Sequence, residues 1–374
     1  MVDCIGMHRL LLFNNSNDLA LASGMGEYIP PASVVRMEHD LAALPYWWAE
    51  DGDAVLLENV EMVERAQAFF ASMGRNVLFT CDGEGYTALC KRTGCLFVPL
   101  PWGWSKAAVY RFMRFGVPRD LMPDDDSLQR IRLLSSKEFA VAHLHRLLAA
   151  AAVDMPSVTL LGDEMRYISS LDGFEISKRT ILKAPWSSSG RGVFFADNIN
   201  APSIREKLSG FIKRQGGFVA DMMYDKRFDF ALEFFVTDAD VCFLGYSVFV
   251  AGENGFYGCN IVASQPVLRR MIVESGCDEP LLDWLIDASC VALKEALCGR
   301  YSGVAGVDML VALCDDELRV HPCVEVNLRM NVGVLAARVF ERCGVADVVL
   351  VPPLPDGFSA CVKDGRLAFK YSRK

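Results

Sequence analysis

Four short runs rich in branched and aromatic residues, HRLLLF, DAVLLE, RNVLFT and CLFVPL, recur through the first third of the chain. Between the second and third lies VEMVERAQAFFASMG, whose apolar residues repeat at helical spacing. Strands that alternate with helices are joined by crossovers, and crossovers produce a parallel sheet with helices on its faces. That alternation constrains the fold more than any other feature. It predicts a Rossmann-like α/β layer, with ligands at the carboxyl edge of the sheet. No G-x-G-x-x-G follows the first strand, which argues against a dinucleotide-dependent redox enzyme built on this layer.

The pattern changes beyond the segment GVPRDLMPDDDS, whose prolines and acids mark a domain edge near residue 125. A strong helix, IRLLSSKEFAVAHLHRLLAAAAV, is followed by RTILKAP and GVFFAD, then by FDFALEFFV, DVCFLGYSVFV, GVDMLVAL and RVHPCVEVNLR, with the helix PLLDWLIDASCVALKEAL among them. Antiparallel strands with interposed helices predict an α+β module. At 374 residues the chain is expected to form two or three packed modules, and 52% hydrophobic with 23% charged residues is a globular balance.

A net charge of −9 with scattered Lys and Arg leaves no basic stripe, so no nucleic-acid partner is expected. The thirteen cysteines include no C-x-x-C and are expected to be reduced and mostly buried. The start lacks the apolar core of a signal peptide, and the most apolar helical stretch, Phe139 to Val153, is interrupted by His143, His145 and Arg146. A cytoplasmic location without a membrane partner is the expectation.

The most informative segment for chemistry is HPCVEVNLRMNVG. On a strand, Glu325, Asn327 and Arg329 share one face while Val324, Val326 and Leu328 share the other. A carboxylate and an amide oxygen two residues apart suit a hard cation such as Mg2+. Asp308, in GVDML before the turn at Asp315 and Asp316, is placed to add a second carboxylate across a hairpin. A solvated edge-strand face is the plain alternative. The second segment is LKAPWSSSGRGV, where serines and glycines let backbone N–H groups approach phosphate oxygens, with Lys183 just before them. An ordinary Ser/Gly hairpin turn is the alternative there, and no Walker A loop occurs in the chain.

Taken in order, Lys137, Lys183, the Ser/Gly loop, Asp308 and Glu325-x-Asn327-x-Arg329 resemble the ATP-grasp superfamily over about residues 128 to 345. The resemblance implies an N-terminal Rossmann-like (pre-ATP-grasp) domain, 1–125, followed by a two-subdomain ATP-grasp module. The small subdomain with the phosphate loop would be 126–220 and the large subdomain with the Mg2+ site 221–350, with a C-terminal extension at 351–374. It implies Lys137 and Lys183 on the nucleotide phosphates, and a lid made by Ser187, Ser188, Ser189, Gly190, Arg191 and Gly192. It implies an adenine-binding hinge around Asp221, Met222 and Met223, with Asp229 on the ribose. Asp308, Glu325 and Asn327 would hold one or two Mg2+, with Mn2+ as a substitute, and Arg329 and Lys183 would act on the transferring phosphoryl group.

The activity so implied is ATP-dependent activation of a carboxylate as an acyl phosphate, which an amine or thiol then attacks. A phosphotransferase of the same fold and a nucleotide-binding regulatory or scaffold protein are the alternatives. The substrates would be small molecules, and a homodimer would be ordinary for the fold. No general base on the protein is required if the amine loses its proton late.

Other polar positions are open in their roles. Asn15, Asn17 and Asp18, after the first strand, are candidates for a substrate pocket at the sheet edge. The glycine-rich AGENGFYGCNIV, with Gly252, Gly255, Tyr257, Gly258 and Asn260, is either a substrate lid or a long hairpin. His321 is expected to be a buried hydrogen-bonding histidine, the PYWW and PWGW aromatics to be core, and Glu233 to be a solvent-facing strand carboxylate.

Overall fold

The computed structural model describes residues 7–174, 179–187, 192–196, 202–251 and 257–372. Contacts divide the chain into two compact units, 1–129 with 335–374, and 130–334.

In the first unit, β1 (Met7–Leu12), α1 (Asn17–Ser23), α2 (Ala32–Asp40), β2 (Ala54–Leu57), α3 (Val60–Phe70), β3 (Leu78–Cys81), α4 (Tyr86–Thr93), β4 (Leu96–Pro101) and α5 (Lys106–Phe115) follow one another, and α6 spans Asp125–Leu134. The four strands pair in parallel in the order β3-β2-β1-β4, the layer that the alternating pattern predicts. All four residues of β2 are buried, which is how a strand reads when both faces are covered. Helices begin where the caps place them: Asn59 accepts from Met62 N–H at 3.0 Å and Ser105 from Ala108 N–H at 3.3 Å. Tyr46, Trp47, Trp48 and Trp102 are buried, and Trp104 packs partly buried against the core.

The second unit opens with α7 (Lys137–Asp154), capped by Ser136, and continues through β5 (Arg166–Ile168), β6 (Thr180–Lys183), β7 (Val193–Ala196), α8 (Pro202–Gln215) and β8 (Phe218–Met222). These strands form an antiparallel sheet in the order β5-β8-β6-β7. Then come β9 (Asp225–Val236), β10 (Val241–Ala251), β11 (Tyr257–Ile261), α9 (Gln265–Glu274), α10 (Glu279–Leu297), β12 (Gly303–Cys314) and β13 (Glu317–Asn327), with the strands ordered β13-β12-β9-β10-β11, again antiparallel. The chain closes with α11 (Val332–Cys343), β14 (Val348–Val349), β15 (Gly357–Lys363) and β16 (Arg366–Ser372), whose strands pair antiparallel.

The β12–β13 hairpin sets the register of the chemistry. Asp315 and Asp316 both take positive φ, 51° and 63°, the conformation of a two-residue turn that Asp tolerates well. From there Cys314 pairs with Glu317 and Leu310 with His321, after which the register shifts and Asp308 pairs with Glu325. Two steps along β12 thus match four along β13, across a stretch that contains Pro322. Proline has no N–H for the ladder, so an irregularity there costs little. Without the shift, Glu325 would face Gly306 and the two acids would be out of step.

Candidate active site

The second unit carries a cleft of about 1080 Å³ whose lining includes Lys137, Lys183, Ser187, Asp221, Met222, Met223, Asp229, Asp308 and Glu325. A space of this size is sufficient for a nucleotide-sized ligand. Asp308 and Glu325 are paired across the hairpin. Asn327 Nδ2 donates to Asp308 Oδ2 at 3.0 Å, and Arg329 Nη2 donates to Asn327 Oδ1 at 2.9 Å. Burial, and then the charges of Glu325 and Glu233, push the Asp308 carboxyl well above the usual carboxylate range, against the pull of Arg329. The acids outnumber the cations that face them.

Both lysines are buried and engaged. Lys137 Nζ, at the first turn of α7, donates to Glu325 Oε1 at 2.7 Å and to the Ser187 carbonyl at 3.1 Å. Lys183, at the end of β6, donates to Asp221 Oδ2 at 2.9 Å. Burial alone would raise the Asp221 carboxyl, but the Lys183 charge, with His321 beside it, holds it well below its usual range. His321 is fully buried with its Nε2 3.7 Å from Asp221 Oδ1. Met222 N–H donates back to Asp221 Oδ1 at 2.9 Å, and Met223 N–H is taken by the Arg179 carbonyl at 2.7 Å. The Met223 N–H is therefore spent within the sheet, and other hinge groups would have to meet a base. Asp229 sits on the same cleft, held by Lys226 Nζ at 2.6 Å.

Of the loop Ser187 to Gly192, only Ser187 and Gly192 are among the described residues; Ser188, Ser189, Gly190 and Arg191 lie outside them, as do Gly252 and Gly255. The base of the loop is fixed. Gly192, at φ 77°, gives its carbonyl to Ala184 N–H at 2.9 Å, and a Cβ there would meet Ala184 Cβ and Ser187 Cβ at 3.1 and 3.2 Å. Trp186 donates its indole N–H to the Arg132 carbonyl at 2.9 Å, with the Arg132 guanidinium 4.0 Å over its ring.

Glu233 departs from its expected place. It is 4% exposed rather than solvent-facing, because β9 is flanked by β12 and β10 and is no edge. Its Oε2 accepts from Asn331 Nδ2, and Asn331 Oδ1 in turn accepts from Val334 N–H at the start of α11. Burial raises its carboxyl to about 7. Asn331 was not singled out from sequence, although it continues the two-residue spacing Glu325, Asn327, Arg329. That spacing was the available signal.

In the first unit a smaller cavity, about 440 Å³, is lined by Asn14, Ser16, Glu38, Glu58, Arg111 and Arg114 among others, at the carboxyl ends of β1 and β2. Asn17 is buried beside Ser16 and its Oδ1 has no hydrogen-bond partner.

No protein-family model matches the sequence, and comparison with curated proteins finds no match. Solved structures do match. Biotin carboxylase of Campylobacter jejuni, in a β-γ-ATP complex, is similar over 95% of this chain and 75% of its own, at 13% identity and TM-score 0.50. The chain has the ATP-grasp fold. Other structures with the ATP-grasp fold include N5-carboxyaminoimidazole synthetase of Staphylococcus aureus, complexed with ADP, at 10% identity and TM-score 0.45 over 95% of this chain and 81% of its own. Phosphoribosylamine–glycine ligase of Thermotoga maritima matches at 14% identity and TM-score 0.43 over 85% of this chain and 90% of its own.

The polar groups that Asp308, Glu325 and Asn327 bring to the cleft are hard oxygen donors. Among the described residues no group of three or more His, Cys, Asp and Glu is disposed to hold a metal. Two facing carboxylates and one amide are a partial set, of the kind that Mg2+ completes with substrate phosphate oxygens and water. Among the described residues no helix is long and apolar enough to cross a membrane.

Proposed function

We propose that the chain is an ATP-dependent ligase that activates a carboxylate as an acyl phosphate and joins it to an amine. The observation that carries this reading is the pairing of Asp308 with Glu325 across β12–β13, in a cleft that also holds two buried lysines. In this reading Asp308, Glu325 and Asn327 hold Mg2+, which would neutralise phosphate charge when bound. Lys137 and Lys183 exchange their present carboxylate partners, in part, for phosphate oxygens. Arg329, held by Asn327 Oδ1 at 2.9 Å, stabilises charge on the transferring phosphoryl group.

The physical work of such a site is positioning and charge neutralisation. A carboxylate is a poor electrophile, and phosphorylation converts one of its oxygens into a leaving group. The proposed module comprises 126–220 with the phosphate loop and 221–350 with the metal ligands.

Thermal unfolding with Mg·ATP tests the reading. The wild type is expected to be stabilised by about 2.7 kcal/mol at a hundred times Kd, only when Mg2+ is present. A Glu325→Ala, Asn327→Ala double variant is expected to lose the Mg2+-dependent part. Absence of any nucleotide shift in the wild type would sink the proposal.

A further inference from the structure

We propose that His321 is a positioning residue for Lys183. It takes up a proton when the lysine leaves Asp221 for the phosphate of an incoming nucleotide, and so replaces the lysine as partner of that carboxylate. The inference rests on the nucleotide reading of the cleft and adds a residue to it. Lys183 from β6 and Asp221 from β8 both line the cleft. Their contact, Nζ to Oδ2 at 2.9 Å, joins two buried side chains. His321 on β13 is fully buried, with Nε2 3.7 Å from the other oxygen, Oδ1. One carboxylate is thus flanked by an ammonium that reaches the cleft and by an imidazole in the interior.

Among the described residues neither ring nitrogen of His321 has a hydrogen-bond partner, which leaves a buried polar group uncompensated. The fold nevertheless makes room for the ring. Gly162, at φ 100°, lies against it, and a Cβ there would come 2.6 Å from Nε2. The Leu161 N–H donates to the Val320 carbonyl at 2.9 Å and the Gly162 N–H to the Tyr224 hydroxyl at 3.0 Å. The Tyr224 ring meets the imidazole edge-on, with centroids 5.7 Å apart. Packing and backbone therefore hold the ring beside Asp221.

The other ionisable groups near it are occupied or neutral. Asp163 and Glu164 follow Gly162 and act on Tyr224, whose hydroxyl is pushed up chiefly by burial. On β13, Arg319 donates to Glu317 at 3.0 Å, burial pushes the Cys323 thiol up, and Glu325 is taken by Lys137 at 2.7 Å. On α7, which packs against β13, burial lowers His143 to about 4, and His145 is tied to the Met165 carbonyl at 3.1 Å. From β12 the facing residue is Leu310. The two basic groups against Asp221 are Lys183 and His321.

A phosphate that draws Lys183 away removes the counter-charge of a buried carboxylate, and a buried charge left unpaired is costly. A proton on the imidazole restores the balance, because both ring nitrogens are then donors and Nε2–H faces Asp221 Oδ1. The proton comes from solvent and returns to it when the nucleotide leaves and Lys183 swings back. Binding that takes up a proton tightens as pH falls and weakens as pH rises.

Calorimetric titration of the full chain with Mg·ADP, which is bound without turnover, in buffers of different ionisation enthalpy reads the uptake directly. Near pH 7 the wild type is expected to take up about half a proton to one proton per site, beyond the contribution of the ligand's own phosphates, which all variants share. His321→Gln places an amide near Nε2 and does not ionise. It is expected to lose the uptake, to bind about tenfold more weakly than the wild type at about pH 6.5, and to match it at about pH 8.5. Asp221→Asn, which keeps the shape and removes the charge, is expected to lose the uptake as well. Equal weakening of His321→Gln at every pH would show a merely structural role and overturn the inference, as would uptake that survives in either variant. Binding without uptake in the wild type overturns it whether or not the variants fold. A wild type that does not bind Mg·ADP overturns the nucleotide reading first, and this inference with it.

Discussion

Two acids, the buried Asp53 in the first unit and the half-buried Asp308 in the second, are served very differently. Asp53 is 2% exposed and takes Arg9 N–H at 2.7 Å, Arg9 Nε at 2.8 Å, a second guanidinium N–H and Glu50 N–H at 2.8 Å. Four donors meet two oxygens. Asp308 receives the amide of Asn327 and faces Glu325 and Glu233, with Arg329 as the counter-charge. A buried charge satisfied from within is scaffold, since its desolvation is offset by hydrogen bonds made at folding. One left short of positive charge waits for it from a ligand.

The comparison breaks most readily at Asp308. Asp308→Asn is expected to lower ATP turnover about 10³-fold, roughly 4 kcal/mol of barrier, with no loss in melting temperature in the absence of ligand. A variant that unfolds instead would make Asp308 scaffold. Asp53→Ala should do the opposite. It leaves Arg9 and the Glu50 N–H without their partner, so urea denaturation should show a loss on the order of 3–4 kcal/mol, while turnover per folded molecule stays unchanged.

A pH series sharpens the contrast. Burial raises Glu233 from 4.5 to about 7, so the folded chain binds a proton there that the unfolded chain has released. Its stabilising contribution is complete below pH about 4.5 and is lost as pH rises to about 7. Glu233→Gln cannot ionise. It should match the wild type in stability below that window and exceed it above by up to about 3 kcal/mol, without metal or nucleotide. A gain at low pH, or none at high pH, would contradict the assignment of cause. The smallest effect is expected at Tyr257, whose hydroxyl donates to Asn260 Oδ1 at 2.7 Å. Tyr257→Phe should cost about 1 kcal/mol.

Much of the architecture was legible because periodicity is a local property. The parallel layer followed from four β-rich runs with helices between them, and the parity of Glu325 and Asn327 followed from strand pleating, whereas Arg329 lies past the end of β13. Glu233 was misplaced for an equally local reason. Its strand reads FDFALEFFV whether it lies at an edge or in the middle, and only the neighbours β12 and β10 bury it.

The sequence by itself determined which residues could share a face, because side-chain direction depends on the backbone a few residues either way. It also supplied the Asp315–Asp316 turn that joins β12 and β13. Tertiary structure alone decided which faces meet. Register across β12–β13 depends on an irregularity near Pro322, and without it Asp308 would not oppose Glu325. The partners of Lys137 and Lys183 lie 188 and 38 residues away. Pairings at such separations come from chain packing, which no local pattern encodes.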